Sequence, residues 1–523
     1  MNTQEILRFC LENGLLVDKE VLGLFNETPD LESVKLIINK IKSQTHQKIL
    51  TKTTFDKNRE QVNRIFLELP VEKQKNLESL KIKLGLNIEI SKEISTQLFK
   101  SEEIERKIEE GFVSAENMPE IKSKKLEVKD FVTYFRERFI KMRNVLQERA
   151  ELNNLVSINK ISGNRQGISI IGMVSDKKVT KNKNMLLEIE DLTGKIRVLI
   201  NQNKPDLYGL AEEIPLDSVI AFRGSGNNEI FFANDLFFPD LVLSERKRSD
   251  RDESALFIGD LHVGSKLFLE SNFLKFIDYL NGKIPHTPEV KKIKYLFIAG
   301  DLISGVGIYQ GQENDLNILD VEEQYARVAE LLGKIRKDIK IIIAPGNHDV
   351  MRIMEPQPVL DEKYAWPIYN LKNVVLVTNP SNICIGKTES FFGFDVLLYH
   401  GYSYHYYANN ISRLMKEKAA HQPEKIMTYL LKNRHLAPSH SSTLYFPSEK
   451  DCLMIENPPD IFFSGHTHKS GIAYYNNILV ISSSCWESKT PFQEKLGNEP
   501  DFCKVPMLNL KTRAIKILDF EGN

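Results

Sequence analysis

Histidine, aspartate and asparagine side chains recur in five short clusters in the second half of the chain. Each cluster offers groups that divalent cations accept, in the order Asp260 and His262, Asp301, Asn347 and His348, His400, then His466 and His468. Carboxylate, imidazole and amide ligands without a thiolate suit a pair of hard or borderline divalent ions better than a closed structural zinc site. These residue types therefore predict metal-dependent hydrolytic chemistry.

The clusters share a position relative to the elements that must carry them. Each follows a short apolar run typical of a buried parallel strand, and the runs are 255–258, 295–298, 341–344, 396–399 and 461–463. Glycines that allow a sharp turn precede four of the clusters, at Gly259, Gly300, Gly346 and Gly465. Side chains at the carboxyl ends of parallel strands converge in one crevice, so we expect all five segments to meet there.

A single histidine after a strand is usually a structural residue, and this explanation has to be weighed against metal binding. Five of the eleven histidines of the chain lie in these clusters. Chance would have to place five ligand motifs in this order, each at the end of a strand. We therefore reject the structural explanation for the set as a whole.

The ordered clusters resemble those of the calcineurin-like metallophosphoesterases, a superfamily that includes the manganese nuclease of double-strand-break repair. The resemblance implies an α/β fold, a two-sheet sandwich with helices outside. It also implies a ligand set in which Asp260, His262 and His468 hold one metal, Asn347, His400 and His466 hold the other, and Asp301 bridges both. His348 would act beside the phosphate as an acid or charge stabiliser, and Asp349 would orient its neighbours.

A narrower resemblance covers most of residues 130–520. Segments 300–312, 434–438 and 459–466 look like the small subunit of the archaeal family D DNA polymerase. That family pairs a 3′→5′ exonuclease subunit with a large polymerising subunit, whereas its eukaryotic relatives have lost most metal ligands and serve as scaffolds. All seven ligand positions are filled here, which favours an active nuclease. Two departures, Gln310 in place of proline and Tyr402-Ser403-Tyr404 in place of basic and acidic residues, concern substrate contacts.

We therefore predict a two-metal 3′→5′ exodeoxyribonuclease that proofreads DNA 3′ ends as the small subunit of an archaeal replicative polymerase. Manganese is the leading candidate for both ions because mixed nitrogen and oxygen ligation permits it, with iron, zinc and magnesium as alternatives. Two other functions stay open, a stand-alone metallophosphatase or phosphodiesterase and a non-catalytic scaffold subunit. Turnover of a phosphomonoester but not of single-stranded DNA would favour the phosphatase.

Tyrosines follow the His400 cluster and are candidate substrate contacts. Tyr402 and Tyr404, with Tyr406 and Tyr407 beyond them, can stack an unpaired terminal base near the metals. They can equally pack an active-site loop, because tyrosine is amphipathic and suits both roles. Both interpretations stay open from the sequence.

Four segments make up the predicted domain organisation. Residues 1–42 predict a small helical module, as a miniature core or a docking module, with an apolar helix face over 31–41. Residues 43–129 are rich in lysine and glutamate and predict a polar, partly helical linker. Residues 130–245 predict a helix followed by an all-β OB-type barrel, and residues 253–523 predict the nuclease domain, closed by a hairpin over 508–518.

Basic residues in the middle segment allow two interpretations each. On the predicted helix they are Arg136, Arg138, Lys141 and Arg143, which form either a solvated face or a phosphate contact, and the solvated face is the commoner case. In the barrel they are Lys177, Lys178, Lys181 and Lys183, in one loop without interleaved aromatic residues. The barrel therefore binds single strands or packs between domains or subunits.

Composition sets outer limits on these predictions. A chain of 523 residues is too long for one core, and its net charge of −1 provides no overall basic field for nucleic acid. Five cysteines scattered without zinc spacing fit a reducing compartment. Since no apolar run approaches the ~20 residues of a membrane span and the first residues lack a signal segment, we expect a cytoplasmic protein without a membrane partner.

Overall fold

The computed structural model describes residues 3–26, 34–35, 38–39, 49–50, 111–117, 125–163 and 165–522. The chain divides into two compact units, Met1–Lys107 and Ile108–Asn523. The first unit contains helices α1 (Thr3–Glu12) and α2 (Lys19–Asn26) and a parallel pair of short strands, β1 (Leu16–Val17) and β2 (Ile49–Leu50). The apolar helix face over 31–41 and the linker before residue 111 lie almost wholly outside the described residues.

The second unit begins with a strand that the sequence pattern assigns to the linker. Strand β3 (Val113–Glu116) pairs antiparallel with residues 382–385 and forms an edge of a sheet in the phosphoesterase domain. Only four residues long, it shows too little alternation to be recognised from sequence. Helix α3 (Val128–Gln147) follows, close to its predicted start.

A closed five-stranded barrel comes next, with the strand order β4-β5-β6-β8-β7. The strands are β4 (Arg165–Val179), β5 (Met185–Glu190), β6 (Lys195–Ile200), β7 (Val219–Gly226) and β8 (Ile230–Phe237), with helix α4 (Pro205–Glu212) between β6 and β7. Of the lysine cluster, Lys177 donates to the carbonyl oxygens of Glu212 and Ile214 at the end of α4, at 2.7 and 3.0 Å. This lysine therefore stabilises a helix end, while the other three are exposed.

The rest of the chain forms a sandwich of two six-stranded sheets. The first has the order β12-β11-β10-β9-β18-β19 and the second β16-β17-β15-β14-β13-β3. The strands are β9 (Ser254–Ile258), β10 (Ile293–Ala299), β11 (Lys340–Ala344), β12 (Val374–Leu376), β13 (Ser381–Ile385), β14 (Phe394–Tyr399), β15 (Ile461–Ser464), β16 (Gly471–Tyr475), β17 (Ile478–Ser482), β18 (Lys504–Asn509) and β19 (Ile515–Asp519). The five strands predicted to carry the ligand clusters pair in parallel with one another, as β9-β10-β11 in the first sheet and β14-β15 in the second, and β18 and β19 form the closing hairpin.

Helices cover the outer faces of both sheets. They are α5 (Glu270–Leu280), α6 (Val321–Gly333), α7 (Glu362–Tyr369), α8 (Tyr404–Asn410), α9 (Ser412–Lys416) and α10 (Pro423–Asn433), and a short helix α11 (Pro491–Leu496) precedes β18. Helices α5 and α6 pack on the first sheet, and α8, α10 and part of α3 pack on the second. Between the sheets, the Phe257 ring lies 5.3 Å from that of Phe297 and 5.0 Å from that of Phe463. The predicted sandwich with outer helices is present.

Short 3₁₀ turns complete the described elements, at Ile158–Lys160, Pro288–Lys292, Gln312–Asn314 and Ala419–His421. None of the helices in the described ranges combines the length and the apolar character that crossing a bilayer requires.

A buried ion pair fastens α3 to the barrel and to the sandwich. The Arg138 side chain, 1% exposed, donates to Asp451 Oδ2 at 2.5 Å and to the carbonyl oxygens of Asp217 and Pro438 at 3.0 and 2.6 Å. Neither interpretation of the basic helix face holds for Arg138, since it is neither solvated nor open to a phosphate. It lies four residues from both Tyr134 and Met142, on the buried face of the helix, and only the partner far along the chain shows how its charge is satisfied there.

Candidate metal centre

The five ligand clusters meet at the carboxyl-terminal edge of the sandwich. Asp260 and Asp301 follow β9 and β10 by two residues, Asn347 follows β11 by three, His400 follows β14 directly and His466 follows β15 by two. Three groups of their side chains place ligand atoms within 4.8 Å of one another: Asp260, His262 and His468; His262, Asp301 and His348; and Asp301, His400 and His466. The structure therefore brings together the side chains that the sequence singles out.

The backbone at this edge adopts strained conformations that the sequence pattern does not predict. Five of the clustered residues have left-handed φ angles, namely Asp260 (53°), His262 (51°), Asp301 (50°), His466 (69°) and His468 (56°). Such a conformation costs about 1–3 kcal/mol for a residue with a side chain and concentrates at functional sites. The fold maintains this strain at the point where the ligand types converge.

Two of the predicted glycine turns are required for steric reasons. A Cβ atom on Gly346 would lie 2.2 Å from Asp301 Oδ1, and one on Gly465 would lie 2.7 Å from Asp260 Oδ2. Both distances are far shorter than a carbon–oxygen contact allows. The missing side chains therefore make room for two carboxylates of the site.

Around Asp260, two ring nitrogens face each other. His262 Nε2 lies 3.1 Å from His468 Nε2, and His468 Nε2 lies 3.6 Å from Asp260 Oδ1. Asp260 is fixed from behind because both its carboxylate oxygens accept from the His466 backbone N–H at 3.0 Å. Three side chains that could hold one cation thus lie on one side of the site.

Around His400, the ring is held by backbone and amide partners. His400 Nδ1 donates to the Ala299 carbonyl oxygen at 2.6 Å, and its Nε2 lies 2.9 Å from Asn347 Oδ1. Asp301 Oδ2 lies 3.4 Å from His400 Nε2 and 3.9 Å from His262 Nε2. This single oxygen is therefore within 4 Å of an imidazole from each predicted half of the site.

Burial and mutual contact set the charges of the cluster. Burial lowers the pKa of His262 and His466 well below the ordinary value and that of His468 to about 4. Burial also disfavours charge on His400, but the Asp301 carboxylate outweighs it and raises the pKa of His400 to about 10. Three of the four rings are thus neutral with lone pairs available, the form in which imidazole coordinates metals.

The two residues after Asn347 have different environments. The His348 backbone N–H donates to Asp301 Oδ1 at 2.8 Å, and its ring Nδ1 donates to the Ser304 carbonyl oxygen at 2.9 Å, which leaves Nε2 as the free ring nitrogen. Asp349 accepts from the Gly346 N–H at 2.8 Å and from the Tyr325 hydroxyl at 3.2 Å. Asp349 therefore has the contacts expected of a residue that orients its neighbours.

Sequence reasoning did not anticipate two residues that hold the ligands. The Gln493 side-chain amide lies 2.8 Å from His468 Nδ1, and Asn379 Oδ1 accepts from the His400 backbone N–H at 2.8 Å. Both lie outside the ligand motifs, on α11 and on the segment before β13. Glutamine after Thr490-Pro491 in a helix start is a capping signal, but nothing in the sequence directs it toward His468.

The predicted tyrosine contacts separate into two cases. Tyr404 has no exposed surface and packs in the core beneath α8, so it cannot stack on an incoming base. Tyr402 is 37% exposed, and its ring lies 5.6 Å from that of His466. His405, which the ligand pattern did not include, lies with its ring 5.2 Å from that of His466 and lines the cavity over the site.

The donor set fits a pair of divalent ions. It consists of carboxylate, imidazole and amide groups, one carboxylate oxygen lies between the two halves, and three rings are neutral. Mixed nitrogen and oxygen donors of this kind are shared by manganese, iron and zinc sites. Above them opens a cavity of about 680 Å³, lined by His262, Asp301, His348, His466 and His468 among others.

Comparison with known proteins gives the same family at two levels. A family model described as calcineurin-like phosphoesterase matches residues 254–470. A Methanothermobacter thermautotrophicus protein named DNA polymerase II small subunit is 36% identical over 398 residues, which cover 75% of this chain and 80% of that protein. Proteins of the same name from Halobacterium salinarum (35% identity, 75% of each chain) and Pyrococcus furiosus (38%, 76% of this chain) also match.

The alignment spans 64% of the length of the Pyrococcus protein, so that relative extends well beyond the matched region. Among solved structures, an archaeal phosphodiesterase matches 51% of this chain and 98% of its own at 12% identity, with a TM-score of 0.25. That structural likeness is too distant to bear on function.

Proposed function

Because this chain belongs to the family of archaeal DNA polymerase II small subunits, we propose that it is a 3′→5′ exodeoxyribonuclease that proofreads for a two-subunit replicative polymerase. A large polymerising subunit would be its partner, and DNA with a 3′ end its substrate. The observation that carries the proposal is the position of Asp301 Oδ2, within 4 Å of both His262 Nε2 and His400 Nε2. A non-catalytic scaffold has no use for such a ligand set, and this chain has kept all of it.

Two divalent ions, manganese first among the candidates, are the proposed cofactors. Asp260, His262 and His468 would hold one ion, Asn347, His400 and His466 the other, and Asp301 would bridge them. When bound, such a pair polarises the phosphodiester and lowers the pKa of water, which supplies a nucleophile at neutral pH.

His348 is the residue proposed to donate a proton, and its contact with Asp301 holds it in position. The backbone contact from His348 to Asp301 ties the histidine to the bridging carboxylate, so ring and carboxylate keep a fixed spacing. Because Ser304 engages Nδ1, the proton that His348 can exchange is the one on Nε2. We propose that it is donated to the 3′ oxygen that leaves as the bond from phosphorus to that oxygen breaks. Water adds to phosphorus, and a 5′-nucleotide is released.

The remaining segments have proposed roles as well. The closed barrel has the strand number of an OB-type fold, and we assign it to that class. Since Lys177 is engaged at a helix end and Arg138 donates both to Asp217 of the barrel segment and to Asp451 of the sandwich, contact between domains is better supported for this region than binding of single strands. Residues 1–42 are proposed as a separate helical module and 253–523 as the nuclease domain, with β3 added to it from the linker.

The test is digestion of a labelled primer with a mismatched 3′ end by the full chain with manganese. Stepwise shortening from the 3′ end is expected for the wild type and for His440→Ala, an exposed histidine that serves as the matched control. Asp301→Ala and His348→Ala should abolish it, and calorimetry should show lost manganese binding in the Asp301 variant only. Digestion retained in both variants contradicts the mechanism, whereas turnover of a phosphomonoester without any shortening of DNA would indicate a phosphatase.

A further inference from the structure

Beside His348, the cavity has a wall that is apolar and open. Ile308 and Tyr309 both line the cavity, and they are 43% and 48% exposed although they adjoin the buried metal centre. Apolar side chains in an active-site cavity that are not covered by their own protein are typical of ligand contacts. We name this pair the 308–309 ledge.

The ledge is held rigidly. The Tyr309 hydroxyl donates to Asp315 Oδ2 at 2.9 Å, and the Ile308 backbone N–H donates to Gln312 Oε1 at 2.9 Å. The Gln312 amide in turn donates to the Ser304 carbonyl oxygen at 2.9 Å, the same oxygen that accepts from His348 Nδ1. One carbonyl therefore ties the ledge to the histidine of the proposed reaction, so a group resting on the ledge has a fixed position relative to that ring.

Charges around the cavity indicate which part of a nucleotide fits the ledge. Asp315, which holds Tyr309, lines the cavity beside the ledge, and a carboxylate repels phosphate. Lys495 lines the same cavity from another segment and attracts phosphate, and Lys469 lines it as well but is paired with Asp501 at 3.3 Å. A phosphodiester is thus disfavoured at the ledge, whereas a flat, uncharged base is not.

We propose that the 308–309 ledge receives the base of the 3′-terminal nucleotide by stacking, which makes this pair a specificity determinant for unpaired ends. The inference rests on the proposed nuclease function. Stacking on an aromatic ring tolerates any base, as proofreading requires, because every base has a π-face. A paired terminal base must first be unstacked and unpaired, a cost that a mismatched base largely avoids. The ledge takes over the stacking role that the sequence suggested for Tyr404.

The experiment compares two single-stranded oligonucleotides that differ only in the 3′-terminal residue, one ordinary and one abasic. For the full chain with manganese, Tyr309→Ala should raise KM for the ordinary substrate about 5- to 100-fold, the range of one lost stacking contact, with kcat changed less than about twofold. The same variant should leave KM for the abasic substrate unchanged. Ile308→Ala should act in the same direction but more weakly, because a branched aliphatic side chain covers less of a base.

Two controls separate stacking from loss of structure. Tyr309→Phe keeps the ring but loses the bond to Asp315, and KM should stay within about threefold of the wild type. Leu319→Ala removes an exposed apolar residue that does not line the cavity, and it should have no effect. Equal changes in KM for the ordinary and abasic substrates, or no change for either, would contradict the proposal that the 308–309 ledge stacks the terminal base.

Binding measured without cleavage distinguishes this inference from the function on which it rests. Fluorescence anisotropy with calcium in place of manganese should show tighter binding of the ordinary oligonucleotide than of the abasic one, and Tyr309→Ala should remove the difference. If the wild type shows that preference but never shortens DNA, the nuclease proposal is wrong and the ledge stands. If it shortens DNA but shows no preference, the ledge is wrong and the nuclease proposal stands.

Discussion

The metal centre and the cluster around Asp451 both bury carboxylates and histidines contributed by distant parts of the second unit. Asp451 is surrounded by donors: Arg138 Nε at 2.5 Å and His435 Nε2 at 2.8 Å reach Oδ2, and the Tyr134 hydroxyl at 2.7 Å reaches Oδ1. Asp301 instead faces rings that are themselves potential ligands, and the nearest pair of ring nitrogens, His262 and His468, offers lone pairs to a common point. The first carboxylate is neutralised within the protein, and the second is arranged for a cation.

The backbones of the two clusters differ in the same sense. Asp451 and His435 have ordinary backbone angles, whereas Asp260, His262 and Asp301 are left-handed. His435 is even fixed in one tautomer, since its Nδ1 accepts from the Ala437 backbone N–H at 3.0 Å and its Nε2 donates to Asp451. Residue types alone do not distinguish a structural charge cluster from a ligand site. Complementary hydrogen bonds indicate the structural cluster, and strain with convergent lone pairs indicates the ligand site.

The largest predicted effect tests whether the cluster around Asp451 stabilises the folded protein. Asp451→Ala leaves the Arg138 guanidinium buried without its carboxylate, and we expect it to lower the free energy of unfolding by about 3–5 kcal/mol. Urea unfolding followed by circular dichroism measures the change. Asp338→Ala, which removes a half-exposed carboxylate paired with Lys294, is the matched control and should cost less than about 1 kcal/mol. Similar losses of unfolding free energy in the two variants would show that the buried pair stabilises the protein no more than an exposed pair does.

The next largest effect tests whether the metal centre around Asp301 binds manganese. Manganese bound only by the folded state should stabilise the wild type by about 2.7 kcal/mol at a concentration of 100 times Kd, and Asp301→Ala should lose this increment. Thermal unfolding at a series of manganese concentrations measures it, with Asp338→Ala retaining the full increment. An increment of equal size in wild type and Asp301→Ala would mean that manganese acts elsewhere.

Much of the metal centre can be predicted from the sequence because its logic is local. An apolar run, a glycine and a candidate ligand follow one another directly, as at Ile298-Ala299-Gly300-Asp301. Because the carboxyl ends of parallel strands converge, these separate segments bring their ligands to one place. The strands of the barrel and the closing hairpin were predicted for a similar reason, since alternation over five or more residues is visible within one segment. The family resemblance adds the two-sheet sandwich, but not the order of the strands within each sheet.

The features that escaped prediction depend on contacts over long distances along the chain. Arg138 shares the buried face of α3 with Tyr134 and Met142, but only Asp451, more than three hundred positions later, shows what pairs with its charge there. Tyr404 lies four residues after the candidate ligand His400, yet the first turn of α8 points it into the core rather than the cavity. Gln493 reaches His468 from a separate helix. Sequence spacing shows which residues share a strand end, but not which way a helix turns its side chains.

The smallest predicted effect is the pH dependence of the Asp451 cluster. Burial alone would raise the pKa of Asp451, but Arg138 and His435 outweigh it and hold the pKa well below the ordinary value. In the unfolded chain this carboxyl titrates near pH 4, so below that pH the unfolded state binds a proton that the folded state does not. The contribution of Asp451 to stability is therefore complete above about pH 4 and declines as the pH falls further. Its slope approaches the limit of about 1.4 kcal/mol for one proton per pH unit.

Asp451→Asn isolates this contribution because it keeps the shape of the side chain and removes the titration. The difference in unfolding free energy between wild type and Asp451→Asn should be constant from pH 5 to 7 and should shrink by about 1 kcal/mol between pH 4 and pH 3. Urea unfolding at each pH measures that difference, in which charges that do not interact with Asp451 cancel because they are common to both proteins. A difference that stays flat down to pH 3 would mean that Asp451 titrates normally in the folded state. The contrast with the metal centre would then rest on hydrogen bonding alone, without the electrostatic part.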